Sequence, residues 1–140
     1  MMSGINGNGR PEGAALVTGA SGGIGAATAR ALAADGWPVA VHFRSDPEGA
    51  ARVVESIESE GGRALTIGAD LDSAEAADQL LGQVEEAFGP TLVLVNNAGR
   101  RADNLSPQIK DEDWSDVIET NLNAAFRLTR RSLKPMIRAR

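Results

Sequence analysis

A glycine-rich stretch near the beginning of the chain constrains the fold more than any other feature. Residues 18–25 read Thr-Gly-Ala-Ser-Gly-Gly-Ile-Gly. The apolar run at 14–17 predicts a buried strand before them, and the alanine-rich run at 26–34 predicts a helix after them. Glycines at such a turn let the backbone approach a phosphate, whose charge the free N–H groups at a helix start attract. The stretch therefore predicts a nucleotide-binding turn, rather than a turn that serves the fold alone.

Three glycines of this stretch have distinct expected roles. Gly19 makes the tight turn, Gly23 admits the ligand, and Gly25 lets the helix pack closely against the strand. Ser21 could donate a hydrogen bond to a phosphate, and the alternative is that it bonds only within the turn.

The composition excludes several classes of protein. A chain of 140 residues is expected to form one domain with a substantial core. Its formal net charge of -5 argues against nonspecific nucleic-acid binding, which needs a basic face. With no cysteine and one histidine, neither a disulfide framework nor a metal site is expected.

The apolar runs also argue against a membrane protein. None approaches the length of about 20 residues that a membrane span needs, so no membrane partner is expected. Residues 1–13 are rich in glycine and asparagine and lack the apolar segment of a secretory signal. We expect them to be a disordered lead to a single domain over 14–140, in a cytoplasmic protein.

The rest of the chain alternates predicted strands with predicted helices. Apolar runs predict three further strands, at 39–43, 64–69 and 91–95. Helical patterns lie between these strands and from Asp111 to the end, with Asp46 and Asp72 as expected caps. The alternation predicts an α/β fold, a doubly wound Rossmann-type parallel sheet with the strand order 3-2-1-4.

Helical periodicity predicts which helix faces are buried. In the first helix the residues expected to face inward are Ile24, Thr28, Ala31 and Leu32. In the last helix one broad apolar face is expected, and part of it is expected to remain exposed. It is made by Trp114, Val117, Ile118, Leu122, Ala125, Phe126, Thr129 and Leu133. Pro135 is expected to kink the final turns of that helix.

The residues at the end of the second strand favour one dinucleotide over another. An NAD site has an acidic side chain about 20 residues beyond the glycines, which accepts a hydrogen bond from the ribose 2′-hydroxyl. This chain has Arg44 and Ser45 there, and a guanidinium with a hydroxyl suits the 2′-phosphate of NADP. The alternative is that Arg44 only faces solvent. Asp46 is expected to cap a helix, and His42 is expected in the core or at its rim rather than in catalysis.

Further polar residues follow the third and fourth strands, at the sheet edge where ligands bind in such folds. Asp70 could bond an adenine amine or could cap the next helix, and the residues leave both interpretations open. The run Asn96–Gly99 could line a ligand or form an Asx turn. Asn121 is unfavourable inside a helix and could mark a bend that frees a carbonyl.

Together these motifs resemble those of the short-chain dehydrogenase/reductases. The resemblance covers nearly all of the chain from Ala14 onward and rests on Thr-Gly-x3-Gly-Ile-Gly at 18–25, Asp70, Asn-Asn-Ala-Gly at 96–99 and Asn121. Within the family, three stretches look like the 3-oxoacyl-acyl-carrier-protein reductase branch, at 103–105, 110–114 and 118–122.

The resemblance implies a role for each matching residue. The residues implied to bind the cofactor, NADP(H), are Gly19, Ala20, Ser21, Gly22, Gly23, Ile24, Gly25, Arg44, Ser45, Asp70, Leu71, Asn97, Ala98 and Gly99. In this arrangement Arg44 stands at the 2′-phosphate, Asp70 and Leu71 flank the adenine, and 97–99 line the ribose and nicotinamide side. Asn121 is the implied catalytic residue, which bends its helix and holds, through its carbonyl, a water in a proton relay.

The resemblance also implies an activity and partners. The implied reaction is the NADPH-dependent reduction of a 3-oxoacyl group on an acyl carrier protein to the 3-hydroxyacyl, a step of fatty acid biosynthesis, in a homo-oligomer that is a tetramer in the family. The alternatives are an NADP-binding module without catalysis and a reductase of another carbonyl compound.

The chain departs from the family pattern in two places. Gly22 stands where many NADP-using relatives carry a basic residue, which leaves Arg44 to favour NADP. The catalytic Ser and the Tyr-x3-Lys pair of the family would lie beyond residue 140, and the chain contains no tyrosine. Whether these 140 residues act as an enzyme is therefore left open. Without the strands that would follow, we expect the strand at 91–95 to be an edge strand.

Overall fold

The computed structural model describes residues 7, 9 and 12–140. The predicted disordered lead at 1–13 lies outside these residues, apart from 7, 9, 12 and 13. The strands are β1 (Ala14–Val17), β2 (Val39–Phe43), β3 (Ala64–Gly68) and β4 (Thr91–Val95). The α-helices are α1 (Gly23–Ala34), α2 (Pro47–Ser59), α3 (Ala74–Phe88), α4 (Asp111–Ile118) and α5 (Ala124–Ala139). In the described part of the chain, no helix is long and apolar enough to cross a membrane.

The four strands form one parallel sheet in the order β3-β2-β1-β4, which confirms the predicted topology. All four strands therefore end at the same edge of the sheet. Val17, the last residue of β1, pairs with Val41 on one side and Val95 on the other. The residues that follow β1, β2 and β4 are thus brought side by side. Within the described residues β4 is an edge strand, as expected.

Alternate residues of the strands enter two separate cores, because successive side chains of a strand point to opposite faces. On one face Ala15, Val17, Val39 and Val41 pack against α1 and α2. On the other face Ala14, Leu16 and Ala40 pack against α3 and α5. Strands buried on both faces have continuous apolar sequences, which is why β1 and β2 could be recognised from the sequence.

The buried face of α1 differs from the predicted one. Its fully buried residues are Gly25, Ala26, Ala29 and Ala33, while Ile24 is 80% exposed. Of the four residues expected to face inward, Leu32 packs against the core and Ile24 lies on the surface. The buried residues are small, and at Gly25 a Cβ would lie 2.5 Å from Nδ2 of Asn97, so that position has no room for a side chain. In this helix the small residues, rather than the most hydrophobic ones, form the buried face.

The caps of α2 and α3 were predicted with different success. Asp46 caps α2 as expected, because its carboxylate accepts a hydrogen bond of 2.9 Å from Gly49 N–H. Asp72 was expected to cap α3, and this prediction was wrong. Ser73 holds that position, and its hydroxyl accepts a bond of 3.1 Å from Ala76 N–H. Both residue types cap helices well, so the sequence alone could not fix the helix start to one residue.

The final helical region is divided into three parts. A π-helical turn at Glu119–Asn123 separates α4 from α5 and shifts the register of the side chains. The buried residues of α5 are Ala124, Leu128 and Ser132, none of which belongs to the broad apolar face predicted from periodicity. Four residues of that predicted face are instead among the exposed large apolar residues, namely Trp114, Leu122, Phe126 and Leu133. Pro135 lies inside α5.

Candidate cofactor-binding cleft

A cleft of about 250 Å³ opens at the carboxyl ends of the strands. It is lined by Gly19, Ser21, His42, Arg44, Ser45, Asp46, Ala69, Asp70, Leu71, Ala98, Gly99, Arg100 and Thr120. Many of the residues predicted to bind a cofactor are thus brought together, from four separate segments of the chain. The predicted residues that lie beside or behind this lining are Ala20, Gly22, Gly23, Ile24, Gly25, Asn97 and Asn121.

The glycine turn has the backbone geometry that its sequence suggested. Gly19 and Gly23 have φ angles of 60° and 57°, a region that side-chain-bearing residues rarely adopt. A Cβ on Gly19 would lie 2.9 Å from the Cα of Ala98, so this position has no room for a side chain. Around Gly22 and Gly23, by contrast, a Cβ would meet nothing within 4 Å. The turn is therefore tightly packed at Gly19, on the side of Ala98, and open at Gly22 and Gly23, where α1 begins.

Gly25 explains why α1 can start so close to the strands. A Cβ at this position would lie 2.5 Å from the Nδ2 of Asn97 and 3.0 Å from the Cα of Ala20. It would come closer still to the carbonyl oxygen of Gly19. Gly25 is tightly packed, but its closest contacts are with the glycine turn and with the segment after β4, rather than with the strand that the sequence had suggested.

Two polar side chains connect the glycine turn to that segment. The hydroxyl of Thr18 accepts hydrogen bonds from the backbone N–H groups of Asn97 and Ala98, at 3.0 and 2.9 Å. In the other direction, the amide of Asn97 donates to the carbonyls of Thr18 and Gly19, at 3.1 and 2.9 Å. Because the Asn97 amide makes both of these bonds, its side chain supports the turn from below. Ala98 and Gly99 are the residues of this segment that line the cleft.

His42 supports the same turn from the side of β2. It is 1% exposed, and its Nδ1 accepts a hydrogen bond of 3.0 Å from Gly19 N–H. Its Nε2 lies 2.8 Å from the carbonyl oxygen of Ala69, just after β3. Burial lowers the pKa of His42 below its ordinary value, against the opposing effects of the Ala69 carbonyl and Asp70. The imidazole is therefore held neutral between two strand ends.

Arg44 lies at the rim of the cleft and is only weakly engaged. Its Nε is 3.7 Å from the carboxylate of Asp70, and both side chains are about half exposed. Exposed pairs of this kind contribute at most about 1 kcal/mol, so the guanidinium is available to a stronger anion. Asp70 was predicted either to bind a ligand or to cap the next helix. Since Ser73 caps α3, the structure removes the second of these roles.

Asn121 lies in the π-helical turn and binds the loop that follows β4. Its Oδ1 accepts a bond of 2.7 Å from Arg100 N–H, and its Nδ2 donates one of 2.9 Å to the Arg100 carbonyl. The expected helix irregularity at Asn121 is thus present as a local widening of the helix. Glu119, at the start of this turn, accepts hydrogen bonds from Asn123 and Arg127, which lower its pKa.

Three residues of the site escaped functional assignment from the sequence. Thr18 and His42 act on the turn through side-chain bonds to other strand ends, and no local pattern reveals such bonds. Arg100 lines the cleft, and its guanidinium lies 3.4 Å from the carboxylate of Asp116. The sequence signal for Thr18 and Arg100 was their position beside Gly19 and Gly99. His42 was correctly predicted to be in the core.

A larger groove of about 760 Å³ runs between α3 and α5, away from the strand ends. Two of its lining arginines are already engaged within the fold. Arg131 binds both Asp78 and Glu85, and these bonds raise its pKa, while Arg127 pairs with Glu119. The smaller cleft holds the glycine turn and is the better candidate for a nucleotide site.

A family model described as "short chain dehydrogenase" matches residues 13–140. The chain belongs to the short-chain dehydrogenase family. The match includes the glycine turn, the segment after β4 and Asn121, the features from which the resemblance was inferred.

Curated relatives of this chain include several 3-oxoacyl-(acyl-carrier-protein) reductases. The protein of that name from Staphylococcus aureus (strain Mu50) is 41% identical over 126 residues, covering 90% of this chain and 51% of the relative. The reductase from Synechocystis is 44% identical over 124 residues, covering 89% of this chain and 50% of the relative. The chain therefore spans about half the length of the curated relatives it matches.

Solved structures agree with this assignment. A short-chain dehydrogenase/reductase from Serratia marcescens, solved as a mutant, superimposes with a TM-score of 0.85 and 31% identity. A blue fluorescent protein from a metagenomic library, in complex with NADPH, superimposes with a TM-score of 0.83 and 34% identity. Each comparison covers 89% of this chain and 51% of the other chain.

Proposed function

We propose that this chain binds NADP(H) in the cleft at the carboxyl ends of its strands. The observation that carries the proposal is the presence, in one cleft, of the glycine turn at the start of α1 and the weakly paired Arg44. The open backbone at Gly22 and Gly23 suits the pyrophosphate, because free N–H groups at a helix start attract negative charge.

The carboxylate of Asp46 is occupied as a helix cap, which favours NADP(H) over NAD(H) as the cofactor. An NAD site needs a carboxylate at the end of β2 to accept from the ribose 2′-hydroxyl. Asp46 is the acidic residue nearest to that position, and its carboxylate is bonded to Gly49 N–H as a helix cap. Arg44 and Ser45 are exposed beside it and suit a 2′-phosphate. The NADPH complex of the structurally similar blue fluorescent protein supports the same choice.

The remaining contacts follow from the order of the segments along the cleft. The turn at 19–25 holds the phosphates, Asp70 and Leu71 flank the adenine, and 97–99 lie on the ribose and nicotinamide side. NADPH, when bound, supplies a hydride for reduction of a carbonyl. Asn121 is the proposed catalytic residue, which holds a water of a proton relay through its carbonyl, while its side chain fixes the loop at Arg100.

The names of the curated relatives support a proposal for the substrate of the whole protein. We infer that the whole protein acts in the cytoplasm, in fatty acid biosynthesis, and reduces a 3-oxoacyl group carried by an acyl carrier protein. A homo-oligomer, tetrameric as in the family, agrees with the apolar residues exposed on α4 and α5. Protonation of the carbonyl oxygen needs an acid, which the family takes from a tyrosine, and these 140 residues contain none.

The test of cofactor binding is a calorimetric titration of the purified 140-residue chain with NADPH and with NADH. We expect NADPH to bind at least about tenfold more tightly, since charge-assisted hydrogen bonds to the 2′-phosphate are absent with NADH. Equal affinities would contradict the choice of NADP(H), and no binding of either would contradict the proposal itself. In the same preparation we expect no oxidation of NADPH with a 3-oxoacyl thioester.

A further inference from the structure

We propose that His42 is a positioning residue that holds the phosphate-binding turn in place only while its imidazole is neutral, and so makes cofactor affinity depend on pH. This inference rests on the proposed function for its effect on affinity. Its effect on the turn can be measured without any cofactor. The single histidine of the chain was excluded from catalysis by its position in the core, yet it touches the turn directly.

The two ring contacts of His42 admit one protonation state. Gly19 N–H can only donate, so Nδ1 must carry a free lone pair to accept its bond. The Ala69 carbonyl can only accept, so Nε2 must carry a hydrogen. Both bonds form together only in the neutral imidazole with its hydrogen on Nε2. A proton added to Nδ1 would face the Gly19 N–H, donor against donor.

The position of Gly19 makes this contact decisive for the turn. Gly19 has a φ of 60° and is packed against Ala98, so its peptide plane has little freedom. The next residue, Ala20, donates its N–H to the backbone carbonyl of His42 at 2.8 Å. The ring and the backbone of His42 therefore hold consecutive residues of the turn. Loss of the ring contact leaves the part-buried Gly19 N–H without this partner, which destabilises this turn conformation.

The charged groups around the ring do not replace this neutral contact. On β1 and the turn, the residues that contact His42 carry no titratable group. Asp70 follows β3 and favours the charged ring, but it is half exposed and pairs with Arg44. The other charged groups that line the cleft are Asp46, which caps α2, and Arg100, which pairs with Asp116. Burial opposes these attractions, and the ring stays neutral at physiological pH.

Nuclear magnetic resonance on the full 140-residue chain tests the structural part. With one histidine, the ring nitrogens give an unambiguous signal, and the Gly19 amide reports on the turn. We expect the Nε2–H tautomer at pH 7.5, and the imidazole and the Gly19 amide to titrate together with a midpoint below 6.5, while circular dichroism shows a folded chain. A Gly19 amide that does not follow the imidazole, or an Nδ1–H tautomer, would overturn the inference.

Substitutions separate the two ring contacts. His42→Asn places an oxygen near the Nδ1 position without a titrating group, so NADPH affinity at pH 7.5 should stay within about threefold of the parent. His42→Leu removes both contacts, and affinity should fall by about tenfold or more because Gly19 N–H loses its partner. Below the folded-state pKa the parent should lose about tenfold in affinity per pH unit. The 2′-phosphate of NADPH also titrates in this pH range and affects both proteins equally. Dividing the affinity of the parent by that of His42→Asn at each pH therefore cancels its contribution.

The outcomes distinguish this inference from the proposed function. If the chain binds no NADPH at any pH, the proposed function fails, while the joint titration of His42 and Gly19 still decides whether the ring controls the turn. If NADPH binds with the same pH dependence in the parent and in His42→Asn, the inference fails and the proposed function stands. If the substituted chains do not fold, the parent spectra decide alone.

Discussion

Gly25 lies so close to Gly19 that a single methyl group on Gly25 would overlap the carbonyl oxygen of Gly19. The same methyl group would lie 2.5 Å from Nδ2 of Asn97, the atom that bonds the Thr18 and Gly19 carbonyls. One contact therefore joins α1, the glycine turn and the segment after β4. The close approach of helix and turn depends on the absence of a side chain at this residue.

The first prediction concerns this contact. Gly25→Ala should destabilise the fold by about 1–3 kcal/mol, because the turn or Asn97 must move to admit the methyl group. A matched control is Gly82→Ala in α3, where a Cβ meets nothing within 4 Å. That change should stabilise by about 0.5–1 kcal/mol through helix propensity. Urea denaturation of both variants measures the difference, and shifts of the same sign would contradict the packing argument.

The second prediction concerns the choice of cofactor. Arg44→Ala should weaken NADPH binding by about tenfold to hundredfold, because charge-assisted bonds to the 2′-phosphate are lost. NADH binding should change little, since its ribose carries no phosphate. Arg52→Ala, an exposed arginine of α2 outside the cleft, serves as the control for net charge. An unchanged ratio of the two affinities in Arg44→Ala would remove the basis for NADP(H).

The third prediction concerns the loop after β4. Asn121→Ala removes both side-chain bonds to Arg100 and should lower the free energy of unfolding by about 1–2 kcal/mol. Hydrogen exchange at the Arg100 amide should become faster. Asn121→Asp keeps the acceptor for this amide and should retain most of its protection. If the amide exchanges equally slowly in Asn121→Ala, the side chain does not fix the loop.

The fourth prediction distinguishes two adjacent residues as helix caps. Ser73→Ala should destabilise by about 1 kcal/mol, because Ala76 N–H loses its acceptor. Asp72→Ala should change stability by less than about 0.5 kcal/mol. Thermal unfolding of the two variants measures the difference, and a larger effect at Asp72 would restore the assignment that the sequence suggested.

The fifth prediction concerns the pH dependence of stability. Burial lowers the folded-state pKa of His42, so between that value and about 6.5 the unfolded chain binds this proton more strongly. The contribution of neutral His42 is therefore fully present above about 6.5 and is lost as pH falls toward the folded-state pKa. Urea unfolding between pH 7.5 and 5.5 should show this loss in the parent and a smaller slope in His42→Asn. Equal slopes would mean that His42 does not titrate differently on folding.

By itself the sequence determined the family, the strand order and the part of the chain that forms the cleft. β1 and β2 were recognisable because both of their faces are buried, which gives continuous apolar runs. β4 carries a similar apolar run, although most of its residues are only half-buried. The glycine turn was recognisable because its backbone needs positive φ angles at Gly19 and Gly23, which few other residues adopt. Burial of a strand and a positive φ angle each restrict the residue types at particular positions, so both can be recognised from a short stretch of sequence.

Only the tertiary structure decided which residues hold the cleft together. Asn97 and His42 act on the turn from other strand ends, and Thr18 bonds from the turn to the segment after β4. These contacts join residues 23 positions apart for Gly19–His42 and 79 apart for Thr18–Asn97. The inner face of α1 likewise consists of small residues such as Gly25 and Ala29, while Ile24 is exposed. Hydrogen-bond partners and steric clearance depend on how segments that are distant in sequence pack together. The periodicity of side chains along one segment carries no information about that packing.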